Sequence, residues 1–225
     1  MPTQSSRFSD ETFEFLSGLR DHNEREWFSA HRDVWVASVR DPFGAFLEAV
    51  SEQLANGPLP LRGGPKTMFR IQRDVRFSKD KRPYSTSASG LLTRDGTKAE
   101  DGPLAYVELG PEGGRVGGGL HRPRASDLSP VRKRLVDEPE AFDAVLTALS
   151  SVDASLSTER QVKTMPRGFA AHAAHRHAQV IRGKELLAMR PISVDAWLSG
   201  AAVRQVVDAI EQGLKPLYDF IGGAR

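Results

Sequence analysis

Between Arg62 and Arg82 the chain places eight Lys or Arg, at 62, 66, 70, 73, 76, 79, 81 and 82, against two Asp at 74 and 80. That is a local balance of +6 (8 − 2) in a chain of 225 residues whose total is +2. The excess positive charge therefore sits in one short stretch. Guanidinium groups hold phosphate or carboxylate as a bidentate fork, and an ammonium does so as a point charge. Arg70, Arg73, Arg76, Lys79 and Lys81 are thus candidate ligands for an anion. Asp74, Asp80 and Glu108 are candidate carboxylates to orient them, and Tyr84 and His121 could supply hydrogen bonds or proton transfer. No nucleophile stands out, because no Ser sits in a nucleophile elbow and no carboxylate pair announces metal-assisted hydrolysis. The absence of cysteine excludes disulfides, thiol catalysis and thiolate zinc.

The element that must position these groups is Met68–Tyr84, MFRIQRDVRFSKDKRPY. Phe69, Ile71, Val75 and Phe77 alternate with Arg70, Gln72, Asp74 and Arg76, which predicts a half-buried β-strand. Arg73 falls on the apolar face of that strand and there needs a carboxylate, carbonyls or a bound anion. An internal ion pair, with a neighbour of Asp74 or with Glu108, answers this need as well as a pocket does. After Phe77, Ser, Asp and Pro83 predict a turn. A charged edge that discourages strand-to-strand association is the plain alternative for the whole stretch.

Around it the pattern predicts helices first. Ser9 caps a helix with Thr12, Phe15, Leu16 and Leu19 inward. Asn23-Glu-Arg-Glu reads as a capping box for a helix striped by Trp27, His31, Val34 and Trp35, with His31 a core histidine. Arg25 and Glu26 lie in its first turn. Asp41-Pro42 starts or kinks another helix. Residues 56–66 are loop, and 85–102 are small and polar, with DG at 95–96 and 101–102; Ser85–Gly90 reads as a lid or a meander. Residues 104–120 read as a β-hairpin around PEGG, and Gly117–Gly119 allow close approach of another backbone or a ligand. They are no dinucleotide fingerprint, since no helix-opening G-x-G-x-x-G follows. His121 and Arg122 leave this strand at its end, in reach of the basic cluster. A helix starts at Ser126 or at Ser129-Pro130, with Arg132, Lys133 and Arg134 exposed. His172 and His175 would share a helix face, but with no third ligand they read as surface histidines, and neither a metal nor a cofactor is expected. Residues 184–191 suit a last strand whose Arg190 faces the region of Arg70 and His121, and the remainder is helical. The layout is α+β: an antiparallel sheet, made of the central strand, the hairpin and the late strand, packed against N- and C-terminal helices. Residues 1–225 are expected to form a single domain, with 1–8 a loose terminus.

The central motif, FRIQRDVRFSKDKRPY, resembles the signature of the domain of unknown function 2461 family. HNEREWF, VGGGLHRP, MPRGF and MRPIS resemble further segments of that family, so the likeness spans nearly the whole chain. The family is uncharacterised, so the resemblance implies a fold expectation and no established catalytic residues.

Composition sets the remaining bounds. Hydrophobic residues are 39% and charged residues 27%, as in an ordinary globular protein. No run approaches the roughly 18 apolar residues of a membrane helix. MPTQSSRFSD has no apolar core and is read as no signal peptide, so a cytoplasmic protein with no membrane partner is expected. Nothing in the sequence indicates an oligomeric state. The first functional expectation is a basic site for a small phosphate or carboxylate ligand, with enzymatic activity left open. A structural salt-bridge network is the second. A nucleic-acid-binding module, gripping with the basic stretch and with 132–134, is the third; the placement of Phe69 and Phe77 on the apolar face argues against it as a stacking platform.

Overall fold

Two prolines show how the helices of this protein are assembled. In a computed structural model, which describes residues 8–98 and 102–224, the chain opens with α1 (Asp10–Asp21), α2 (Arg25–Ala30) and α3 (Arg32–Val34). A π-helical segment, Trp35–Arg40, then runs into α4 (Asp41–Leu54), which carries Pro42 in its first turn. Proline has no N–H to offer the carbonyl four residues earlier. That carbonyl belongs to Ser38, and the buried Thr12 hydroxyl donates to it at 2.7 Å. A second π segment, Ala209–Leu214, likewise precedes a helix with proline in its first turn.

The remaining elements are β1 (Ala88–Thr93), β2 (Leu104–Gly110), β3 (Gly113–Leu120), α5 (Ala125–Asp137), α6 (Pro139–Ser150), β4 (Ser155–Leu156), α7 (Ala178–Ile181), β5 (Leu186–Ile192), α8 (Val194–Ser199), α9 (Ala202–Asp208) and α10 (Lys215–Gly222). The strands make one antiparallel sheet in the order β1-β2-β3-β5-β4. The fold is α+β, and the hairpin and late strand read from the sequence are β2–β3 and β5. No helix among the described residues is long and apolar enough to cross a membrane.

The chain divides into two compact units, Met1–Val116 with Pro191–Val207, and Gly117–Arg190 with Asp208–Arg225. In the first unit Phe15 packs against Trp27, Phe28 and Trp35, while Phe43, Phe46 and Phe8 pack against Trp197. Of the terminus expected to be loose, residues 1–7 lie outside the described residues and Phe8 is buried. Asp101, half of the second DG pair, also lies outside them. On β2, Ala105, Val107 and Leu109 are buried, while Leu104, Tyr106 and Glu108 are half-buried. This is the alternation expected of a sheet with one covered face. β1 lies in the stretch read as small and polar, its first three residues in the segment read as a lid or meander, because Ala-Ser-Gly-Leu-Leu-Thr has no alternation to read. Five of its six residues are buried.

In the second unit Arg132 and Arg134 are turned inward, contrary to the exposed grip expected of 132–134, while Lys133 stays exposed as read. Arg132 donates to the carbonyls of Ile181 (2.9 Å) and Gly183 (2.7 Å). Arg134 donates to the Phe220 carbonyl at 2.6 Å and lies over the Phe220 ring, and Lys133 pairs with Asp137. The helix there begins at Ala125, so Pro130 lies inside it. Arg190, nearly buried, pairs with Asp153 at 3.9 Å.

A candidate anion-recognition arm

The stretch expected to be the central strand is instead an arm of two legs. Phe69 N–H donates to the Ser89 carbonyl, which ties the arm's base to β1. Beyond it, Gln72 bridges to Tyr84, Arg73 N–H donates to the Pro83 carbonyl and Ser85 N–H to the Ile71 carbonyl, each bond 2.8 Å. No regular strand forms between Met68 and Phe77, and the reason lies in a repeated Asp-x-Arg. Asp74 accepts from the backbone N–H of Arg76 (3.2 Å) and from its guanidinium (2.6 and 3.0 Å). Asp80 does the same with Arg82, at 3.0 Å from the backbone and 2.8 and 3.1 Å from the guanidinium. Carboxylates bonded to the main chain two residues on compete with strand ladders.

Arg73 is partly exposed rather than set on a covered apolar face, and still takes a carboxylate partner. The partner is Asp80 at 2.9 Å, with the Arg82 carbonyl at 3.0 Å. One carboxylate thus fastens both legs. Lys81 Nζ donates to the Val75 carbonyl at 3.0 Å and ties the second leg to the tip. Beneath the arm, the Asn23 side chain accepts from Tyr84 N–H (3.0 Å) and donates to its carbonyl (3.1 Å). Asn23 was read as a helix cap, but the cap of α2 is Glu24 and the Asn23 amide is buried under the arm. Tyr84 is buried and stacked on Phe28 at 4.2 Å, a core residue in place of the expected ligand.

The apolar face expected for Phe69 and Phe77 is absent. Phe77 is 95% exposed and Phe69 40% exposed. A cation lies over each ring, Arg76 at 5.9 Å from Phe77 and Lys98 at 5.8 Å from Phe69. Arg70 and Lys79 are exposed and, among the described residues, in no ion pair. Glu108 does not join the arm's ion pairs. It accepts from the Tyr106 hydroxyl at 2.5 Å and from Arg115 at 3.1 Å. Burial, then this hydrogen bond, pushes the Tyr106 hydroxyl up to about 12. His121 belongs to the second unit, where its neighbour is Glu185.

His172 and His175 do not share a helix: His172 ends a short 3-10 turn, and His175 Nδ1 accepts from His177 N–H at 3.1 Å. Burial, with the charges of neighbouring His177, His172 and Arg176, lowers the pKa of His175. Among the described residues no group of three or more His, Asp or Glu is placed to hold a metal ion.

The hydrogen bonds from Arg82 hold the Asp80 carboxyl far below the usual carboxylate range, and those from Arg76 lower Asp74. Both are harder to protonate in the folded arm than in the unfolded chain. Their contribution is therefore complete above the ordinary aspartate range, about 3.9, and is lost as pH falls through the lowered folded values. We expect Arg73 and Arg82 side-chain NMR signals to stay in their folded positions through the ordinary carboxylate range. Asp80→Asn is expected to release them at neutral pH and to speed tryptic cleavage after Lys79 and Lys81. Unchanged cleavage in that variant would show that Asp80 does not fasten the legs.

A family model described as conserved hypothetical protein (DUF2461) matches residues 11–220. No curated protein matches the chain.

Proposed function

The chain belongs to the DUF2461 family, and for it we propose that the arm of residues 68–84 docks single-stranded nucleic acid. The observation that carries this reading is the Phe77 ring, 95% exposed at the tip of a strongly basic arm. An aromatic face among Lys and Arg offers both parts of sequence-tolerant single-strand binding. Bases stack on the ring, and phosphates meet the cations.

A receptor for one small anion asks for several donors converging on one point. Here Arg73 and Arg82 converge on Asp80, and Arg76 is turned onto Asp74. With Tyr84 in the core, the arm's charges are spread along two legs, which suits a chain of phosphates better than a single one. The exposed pairs still leave N–H donors facing water. Pairs this exposed contribute little stability themselves.

The structural-network reading draws on Asp80, which holds both legs. The two readings part at the tip, because an exposed ring adds nothing to a salt-bridge network. The test is binding of a fluorescent oligothymidylate at several salt concentrations. If about four phosphates are neutralised, log K falls against log salt with a slope of about −3. No binding, or binding indifferent to salt, would defeat the proposal.

A further inference from the structure

We propose that the second unit carries its own site for a single phosphate group, grasped by His121 and Arg160 and held in place by Glu185. The Glu185 side chain is 5% exposed, yet its Oε2 has Arg160 Nη1 at 3.0 Å and His121 Nδ1 at 3.9 Å. A buried carboxylate needs such partners, since an unpaired one is strongly disfavoured. The partners themselves are not buried. Arg160 is 46% and His121 57% exposed, so the donors they do not turn to Glu185 remain in water. The buried oxygen fixes Arg160 by a hydrogen bond and has His121 beside it at ion-pair range, which sets two exposed donor groups near each other for a shared anion.

The backbone holds all three residues in place. Residues 160–162 and 182–184 run as a short antiparallel ribbon, with Lys184 N–H donating to the Arg160 carbonyl (2.7 Å) and Val162 N–H to the Arg182 carbonyl (2.9 Å). Gly119 lies against the Leu186 carbonyl, and its N–H donates to the Tyr218 hydroxyl at 2.8 Å, so the end of β3 reaches the start of β5. This brings His121, two residues past Gly119, to Glu185, one residue before Leu186. Arg122 follows with φ +46, a conformation that non-glycine residues seldom adopt. Arg122 and Lys184, the sequence neighbours of His121 and Glu185, are exposed. A tetrahedral dianion would accept hydrogen bonds from the remaining Arg160 guanidinium donors and from the imidazole.

The probe is inorganic phosphate titrated into the full chain, read by the His121 imidazole NMR signals. We expect a saturable shift, at least about tenfold weaker in Arg160→Lys, which keeps the charge and loses the fork. His121→Gln, at an exposed position that should not disturb folding, weakens phosphate binding by a similar factor in calorimetry. Phe77→Ala leaves it unchanged, which separates this site from the arm. A His121 signal that stays still in phosphate, or shifts equally in Arg160→Lys, would overturn the proposal.

Discussion

Gly119→Ala is expected to destabilise the protein by about 3 kcal/mol or more, combining an overpacked contact with a disfavoured backbone conformation. Gly119 has φ +128, and a Cβ there would lie 2.1 Å from the Leu186 carbonyl oxygen and 3.1 Å from its carbon. Both are backbone atoms of the neighbouring strand, so no rotamer change relieves the clash, and β3 must part from β5. Gly117 is held almost as tightly, with Met189 Sδ at 2.0 Å and the Ala188 carbonyl at 2.4 Å from an added Cβ. Gly168 is the control. Its φ is +87, but nothing lies within 4 Å of an added Cβ, so its replacement by alanine carries the conformational cost alone. Urea denaturation of the three variants ranks them. Gly119→Ala unfolding within about 1 kcal/mol of the parent would mean that β3 and β5 do not approach as described.

The second large effect is on binding. Phe77→Ala should leave stability within about 0.5 kcal/mol of the parent, as expected for an exposed side chain outside any packed contact. The same change should weaken single-stranded oligonucleotide binding by about 1–3 kcal/mol, roughly 5- to 150-fold, through the loss of one stacked base. Phe77→Trp should retain or strengthen binding, because a larger π-face stacks at least as well. If Phe77→Ala binds like the parent, the ring is not a stacking platform. If it binds less but also unfolds earlier, the ring has a structural contact instead.

Much of the framework was legible because local pattern and tertiary environment agree in it. Leu104–Gly110 alternates in sequence and in burial, and PEGG turns where the pattern breaks. Gly117–Gly119 were read as a place of close approach, and Gly117 and Gly119 meet β5 there. The arm was misread because alternation shows which residues share a face, not whether any element covers that face. Phe69 and Phe77 keep the period of a strand, while the two Asp-x-Arg clamps bond to their own backbone and withdraw it from the sheet. That repeat, Asp74-Val-Arg76 and Asp80-Lys-Arg82, was present to be read. Asn23 was assigned to its nearest helix because capping is a local rule, whereas its partner, Tyr84, is 61 residues away. His121 was grouped with the basic stretch by its place at a strand end and 132–134 by charge, and neither carries information on which unit a side chain joins.

The arm of residues 68–84 is the surface proposed to meet nucleic acid. Backbone and aromatic NMR spectra recorded while a short oligothymidylate is added test it most directly. The prediction is saturable shifts at the Phe77 and Phe69 rings and at the amides of 70–82, diminished by added salt. Shifts that spare the arm, or spectra that do not change, would contradict it.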